Sequence, residues 1–200
     1  MADTLAIRGG VPVRTKPFAG WPVFAESDEQ ALLAALRSGN WGKLQGEQVK
    51  TFEKRFAEYH GARHAVAVVN GTVALRLALL AAGIQAGDEV LVPPYTFLAT
   101  ASAVVEANAV PVFVDLQLDT FNIDPEKIEA AITPRTRAII PVHLGGLACD
   151  MDTIMATARN RGLAVIEDAC HAHGAEYKGR RLGSLGDMGV FSFQSSKNLC

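Results

Sequence analysis

Short apolar runs alternate with helix-compatible stretches along most of the chain, and this alternation restricts its fold more than any other feature. The apolar runs, rich in β-branched residues, are 65–69, 90–92, 110–114, 139–142, 164–166 and 190–193. The helix-compatible stretches are 72–82, 100–107, 125–132 and 152–161. Apolar strands separated by helices are typical of a parallel sheet with helices on both faces. The pattern predicts a three-layer α/β fold.

The N-terminal part of the chain has a different composition. It contains the glycines and prolines Gly9, Gly10, Pro12, Pro17 and Pro22. These residues predict an extended arm over 1–25 and a single domain over 26–200. Two helices are predicted before the first apolar run: one begins at Ser27 or Asp28 and ends at Gly39, and the next ends before Gly61.

The composition excludes several classes of function. The 19 basic and 21 acidic residues give a net charge of -2 without charged blocks, which argues against nucleic-acid or membrane-surface binding. No apolar run approaches the ~18 residues of a membrane span, and the N-terminus lacks the apolar core of a signal peptide. The three cysteines form no C-x-x-C pair. We expect a cytoplasmic protein with a small-molecule ligand.

Two polar segments, 167–173 and 192–198, follow apolar runs near the end of the sequence. They place Asp168 and Lys197 just after predicted strands, where open α/β sheets bind their ligands. A carboxylate that faces a pyridine nitrogen and a lysine that forms a Schiff base are the groups that pyridoxal phosphate (PLP) most needs. PLP is therefore the leading hypothesis. Alternatively, Asp168 caps a helix or pairs with an arginine, and Lys197 is an ordinary surface lysine.

Three further positions are candidates for binding such a cofactor. Gly71 and Thr72 lie between an apolar run and a helix, where free amides and the helix dipole attract phosphate. Alternatively, Gly71 serves a tight turn and Thr72 caps the helix. Phe97 follows another predicted strand and could stack on a heteroaromatic ring, although aromatic residues are more often part of the core.

The histidines near Asp168 allow two interpretations. A metal site built from His143, Cys170, His171 and His173 has no second ligand pair of usual spacing, so no metal is predicted. We prefer contact between His171 and the cofactor. Ser192 is a small hydroxyl residue that suits phosphate contacts or an ordinary turn.

Six segments, taken in order, resemble the DegT/DnrJ/EryC1/StrS aminotransferases. They are NGTVAL at 70–75, GDEV at 87–90, PYTF at 94–97, PVHLGG at 141–146, EDACHAHG at 167–174 and FSFQSSKNL at 191–199. The resemblance implies the large domain of a fold type I PLP enzyme, truncated before the small domain. It also implies a homodimer that moves an amino group from glutamate or glutamine to a cyclitol ketone or a keto sugar, often nucleotide-linked.

The same resemblance assigns a role to each candidate residue. Lys197 would bind PLP covalently and transfer protons, while Asp168 would pair with the pyridine nitrogen. The remaining residues would contact the ring, its phenolic oxygen or the phosphate: Phe97, His171, Gly71, Thr72 and Ser192. Related dehydratases have histidine in place of the lysine, so Lys197 favours transamination.

Other interpretations of the chain remain open. The 200 residues could be a fragment that is inactive alone, or a binding module that holds PLP or phosphate without turnover. Fold type I also hosts lyases and desulfurases, because a fold does not fix a function. A nicotinamide-dependent dehydrogenase is disfavoured because no G-x-G-x-x-G motif follows the first strand.

Overall fold

The computed structural model describes residues 4–18 and 20–200, and the chain divides into two compact units, Met1–Gly46 and Glu47–Cys200. In the described part of the first unit, the regular elements are a 3₁₀ turn at Ala6–Arg8 and helix α1 at Glu26–Ser38. Residues 1–3 and 19 of the expected arm lie outside the described residues. The boundary at residue 25 stays a prediction.

Helix α1 begins earlier than its sequence predicts. Its N-cap is Ala25, and Asp28 lies inside the first turn, where its carboxylate accepts the Ala25 N–H at 2.8 Å. The predicted start at Ser27 or Asp28 is therefore wrong, because Asp28 caps the helix from within. The predicted end is confirmed, since Gly39 follows the helix with φ +68°.

The second unit, all of whose residues the structure describes, contains five α-helices, a 3₁₀ turn at Leu144–Gly146 and seven strands. The helices are α2 Gln48–His60, α3 Gly71–Ala81, α4 Ala99–Glu106, α5 Pro125–Ala131 and α6 Met151–Arg161. The strands are β1 Glu89–Val92, β2 Val110–Phe113, β3 Thr136–Ile139, β4 Ala164–Asp168, β5 Glu176–Tyr177, β6 Arg180–Arg181 and β7 Met188–Val190. Within the described parts of the chain, no helix is long and apolar enough to cross a membrane.

Five strands form one parallel sheet in the order β2-β1-β3-β4-β7. Residues of α3 and α4 cover one face, where they pack with Val90 and Val92. Residues of α5 and α6 cover the other face with Leu91 and Val165. The predicted α/β fold with helices on both faces is confirmed. The strand order reverses between β1 and β3, which is where open α/β sheets form a ligand crevice.

The apolar runs differ from the observed strands in three places. Residues 65–69 form no strand, because the Ala67 N–H donates to Oε1 of Glu53 at 2.7 Å rather than to a neighbouring strand. Strand β3 covers Thr136–Ile139 rather than 139–142, and β7 covers Met188–Val190 rather than 190–193, so each shares one residue with its predicted run. An apolar run fixes neither burial nor pairing by itself, since Val66 and Val69 are exposed and a strand also requires a backbone partner.

Candidate active site

Asp168 is the last residue of β4, and its backbone is fixed on the β3 side. Its N–H donates to the Pro141 carbonyl at 2.9 Å, and its own carbonyl accepts the His143 N–H at 3.1 Å. The side chain is only 6% exposed. A run of buried residues therefore ends in a carboxylate at the carboxyl edge of the sheet, as the sequence predicts.

The Asp168 carboxylate has two neutral donors. Oδ2 accepts the Thr100 hydroxyl at 2.8 Å, and Oδ1 accepts the Cys170 N–H at 3.2 Å. Asp168 does not pair with an arginine, since both donors are uncharged. It does not cap a helix either, since the following residues 169–175 form none. A buried carboxylate is costly unless it is matched by donors or a cation, so this geometry suits an additional cationic partner.

The N-terminus of α3 presents free backbone amides. Asn70 is the N-cap: its Oδ1 accepts the Val73 N–H at 2.9 Å, and its carbonyl accepts the Ala74 N–H at 3.0 Å. The amides of Gly71 and Thr72 come before these and have no acceptor within the helix. The alternative that Thr72 caps the helix is wrong, because Asn70 does so. Two amides at a positive helix end can bind an anion.

Gly71 lies against residues from two other elements. A Cβ atom added to Gly71 would lie 3.1 Å from Sγ of Cys170 and 3.2 Å from Cβ of Ser192. This crowding leaves room for glycine and little more. The structure therefore brings together the start of α3, the segment after β4 and the segment after β7.

Lys197 and His171 interact electrostatically. Burial lowers the pKa of His171, and the positive charge of Lys197 lowers it further, whereas Asp168 opposes the shift. The charges of Lys197 and Asp168 thus both act on the His171 imidazole. Nδ1 of His171 lies 3.3 Å from the Gly145 N–H and must accept from it. The proton of the neutral imidazole is consequently on Nε2.

A cluster of aromatic rings supports the segment that leads to Lys197. The Phe191 and Phe193 rings pack against Phe56 of α2, with ring centroids 5.0 and 5.5 Å apart. His173 lies 5.3 Å from the Phe193 ring. The segment is therefore held by side-chain packing after its strand pairing ends at Val190, and Lys197 itself is half-buried.

Phe97 follows β1, and its side chain is 71% exposed. The alternative that Phe97 is part of the hydrophobic core is therefore wrong. Its carbonyl accepts the Thr100 N–H at 3.1 Å, which places it one turn before the residue that binds Asp168. An exposed ring in this position can lie against a flat ligand bound at Asp168.

Two buried groups beside the site were missed by the sequence reasoning. Thr100 binds Asp168, and Glu167 is fully buried beside it. Nothing in the local sequence marks Thr100, because Thr96, whose Oγ1 lies 2.9 Å from that of Thr100, precedes the N-cap of α4 and shares no helix face with it. The signal for Glu167 was its place beside Asp168 in a predicted buried strand, because a buried carboxylate requires hydrogen-bond donors.

The cysteines of the site are not poised as nucleophiles. Burial raises the pKa of Cys149 to about 12, and Glu167 contributes. Burial also raises the pKa of Cys170, followed by the charge of Asp168, while Lys197 opposes the shift. Thiolates are the reactive form of cysteine, so neither residue supports a desulfurase reaction. Among the described residues, no group of three or more His, Cys, Asp or Glu could hold a metal ion.

The sequence model of the DegT/DnrJ/EryC1/StrS aminotransferase family matches residues 23–200. The chain is 46% identical over 200 residues to L-glutamine:2-deoxy-scyllo-inosose aminotransferase from Streptoalloteichus tenebrarius, covering 98% of this chain and 47% of that protein. It is 51% identical over 178 residues to the spore coat polysaccharide biosynthesis protein SpsC of Bacillus subtilis, covering 89% and 45%.

A solved structure agrees with these relatives. The crystal structure of NtdA from Bacillus subtilis with bound cofactor PMP matches with a TM-score of 0.78 at 38% identity, covering 88% of this chain and 40% of that chain. The chain thus spans about half the length of the curated relatives it matches.

Proposed function

The chain belongs to the DegT/DnrJ/EryC1/StrS aminotransferase family, and on this premise we propose that its protein is a PLP-dependent aminotransferase. The observation that carries the proposal is that Gly71, at the amide-bearing start of α3, packs against Cys170, which follows Asp168, and against Ser192 of the segment that leads to Lys197. The proposed substrates are L-glutamine or L-glutamate as amino donor and a cyclitol ketone or keto sugar as acceptor.

The residues fit PLP at both of its charged ends. The amides of Gly71 and Thr72, with the adjacent Ser192, would hold the phosphate, and the contact between Gly71 and Ser192 leaves a cradle that a Cβ atom would fill. Asp168 would accept from the protonated ring nitrogen. PMP, which NtdA holds, is the amino form of the same cofactor. Phe97, exposed beside the crevice, would lie against the ring.

When bound, PLP supplies an electron sink for the donor's α-carbon and carries the amino group between the two substrates. Lys197 would hold the cofactor through Nζ and, once released, would accept the proton of the α-carbon as a general base. Asp168 would stabilise positive charge at the ring nitrogen. His171, with its proton on Nε2, would donate to the phenolic oxygen.

The relatives support the choice of substrates. One is by its name a glutamine-dependent cyclitol aminotransferase, and another acts in polysaccharide biosynthesis. These names support the cyclitol ketone and the keto sugar about equally. The three free cysteines support a reducing compartment such as the cytoplasm. The exposed rings of Tyr95 and Phe121, which pack against each other, and of the nearby Phe97 support a homodimer that covers them.

The test is a half-reaction in the full-length natural protein. The protein loaded with PLP is mixed with L-glutamine and no acceptor, and the released cofactor is identified by mass spectrometry. We expect stoichiometric PMP, because the amino group moves before an acceptor binds. Lys197→Ala should abolish this transfer, whereas Lys178→Ala, which removes an exposed lysine paired with Asp152, should not. A wild-type protein that forms no PMP from glutamine or glutamate contradicts the proposal.

A further inference from the structure

Thr100 is in a position to orient Asp168. It is the second residue of α4, its side chain is fully buried, and its Oγ1 lies 2.8 Å from Oδ2 of Asp168. An ionised carboxylate can only accept hydrogen bonds, so the single hydroxyl proton of Thr100 points at Asp168. This bond is charge-assisted and therefore stronger than one between neutral groups.

Thr96 supports Thr100 from the other side. The two Oγ1 atoms are 2.9 Å apart. Because the Thr100 proton is donated to Asp168, the proton in this second bond must come from Thr96. The three side chains therefore form a directed chain in which Thr96 donates to Thr100 and Thr100 donates to Asp168.

This chain connects two candidate contacts to the cofactor. Phe97 lies directly after Thr96, and its carbonyl accepts the Thr100 N–H at 3.1 Å. The loop that carries the exposed ring is thus fastened to the residue that holds the carboxylate. The other oxygen of Asp168, Oδ1, accepts a longer bond of 3.2 Å from the Cys170 N–H.

We propose that Thr100 is a positioning residue that holds the Asp168 carboxylate in the orientation in which it meets the ring nitrogen of PLP. The inference rests on the proposed function, since it concerns the same cofactor. Removing the hydroxyl leaves Oδ2 without its donor in a buried site, where a lost partner is costly. The carboxylate is then free to turn away from the ring nitrogen.

The experiment compares PLP with deaza-PLP, in which carbon replaces the ring nitrogen, as ligands of the full-length natural protein. Thr100→Val keeps the shape of the side chain and removes the hydroxyl. We expect it to weaken PLP binding about tenfold, which corresponds to about 1.4 kcal/mol. Deaza-PLP has no nitrogen for Asp168 to meet, so its affinity should be the same in the variant and the wild type.

Two further variants separate positioning from general damage to α4. Thr100→Ser retains the hydroxyl and should restore PLP affinity. Ser102→Ala removes a hydroxyl of the same helix that reaches only the Ala99 carbonyl at 3.4 Å, and it should change neither affinity.

Two results would overturn the role of Thr100 while leaving the proposed function intact. In the first, Thr100→Val binds PLP as tightly as the wild type; in the second, its affinities for PLP and deaza-PLP fall equally. A wild-type protein that does not bind PLP would overturn the proposed function as well, so the two failures are distinguishable.

Discussion

Nε2 of His143 lies 2.9 Å from Oε2 of Glu167, and both side chains are fully buried. Nδ1 of His143 faces the Cys149 N–H at 3.2 Å and accepts from it. The imidazole is therefore the donor to Glu167. The carboxylate also accepts three backbone amides of the loop before β7, those of Gly183, Leu185 and Gly186, at 2.6–2.7 Å. Glu167 thus ties β4 to two loops next to Asp168.

This network predicts the effect of removing the charge of Glu167. Burial raises the pKa of Glu167, but the hydrogen bonds from His143 and the loop amides outweigh it, so the pKa is below its ordinary value. Glu167→Gln replaces one acceptor oxygen by a donor that faces other donors. We expect a loss of about 2–4 kcal/mol in the free energy of unfolding, measured by urea denaturation.

The control for Glu167→Gln is the same change at a surface ion pair. Glu129 is half exposed and pairs with Arg161. Glu129→Gln should change the free energy of unfolding by no more than about 0.5 kcal/mol. Equal effects of the two substitutions would show that Glu167 does not hold the loops together.

Stability should decrease in mild acid. Burial lowers the pKa of His60 and of His173 below the ordinary value of 6.5. As the pH falls through 6.5, the unfolded chain takes up protons that the folded chain does not, so the free energy of unfolding decreases. We expect a lower urea midpoint at about pH 5.5 than at about pH 7.5.

The contribution of His173 to this pH dependence can be isolated. Its ring packs against Phe191 and Phe193, so His173→Phe preserves an aromatic side chain there and removes the titrating group. The difference between the two midpoints should shrink. The exposed His64 provides the matched control, and His64→Phe should leave the difference unchanged. An undiminished difference in His173→Phe would contradict the assignment.

Gly71→Ala should weaken phosphate binding selectively. The added Cβ would crowd Cys170 and Ser192 at 3.1–3.2 Å and displace the start of α3. PLP affinity should fall about tenfold or more, since charge-assisted bonds to the phosphate are lost. Pyridoxal, which has no phosphate, should bind the variant and the wild type alike. Gly20→Ala is the control, because a Cβ there meets nothing within 4 Å. Equal losses for both ligands would exclude a phosphate cradle at Gly71.

The tautomer of His171 can be observed directly. Because the Gly145 N–H faces Nδ1, NMR of selectively ¹⁵N-labelled histidine should show the proton of His171 on Nε2 near neutral pH. His171→Ala identifies the resonance. A proton on Nδ1 would contradict the role of His171 as a donor through Nε2.

The layers of the fold were predictable because they depend on hydrophobic periodicity alone. The runs around Val90 and Val165 alternate between the two faces of the sheet, α3 to α6 lie within about one residue of their predicted bounds, and α2 ends at His60 as predicted. The extent of the individual strands was less predictable. Residues 65–69 have the composition of a strand, yet strand formation depends on a neighbouring chain segment that local sequence does not specify.

The site was predictable where its residues follow strands. Asp168 ends a buried parallel strand, so the topology places it at the carboxyl edge of the sheet. Gly71 follows residues 65–69, which form no strand, and it was predictable only from its place at the start of α3. Thr100 and Glu167 were not found, because their importance comes from partners distant in sequence, such as the 68 residues that separate Thr100 from Asp168. A hydroxyl residue at a helix start suggests an N-cap, yet Thr72 does not cap α3, because Asn70 two residues earlier accepts the Val73 N–H.

The proposed covalent bond between Lys197 and PLP can be located by peptide mapping. The full-length natural protein is incubated with PLP, reduced with borohydride, digested and analysed by mass spectrometry. We expect a phosphopyridoxyl group on the peptide that contains Lys197, and no specific labelling in Lys197→Ala. Stoichiometric labelling of another lysine, such as Lys178, or no labelling of the wild-type protein would contradict it.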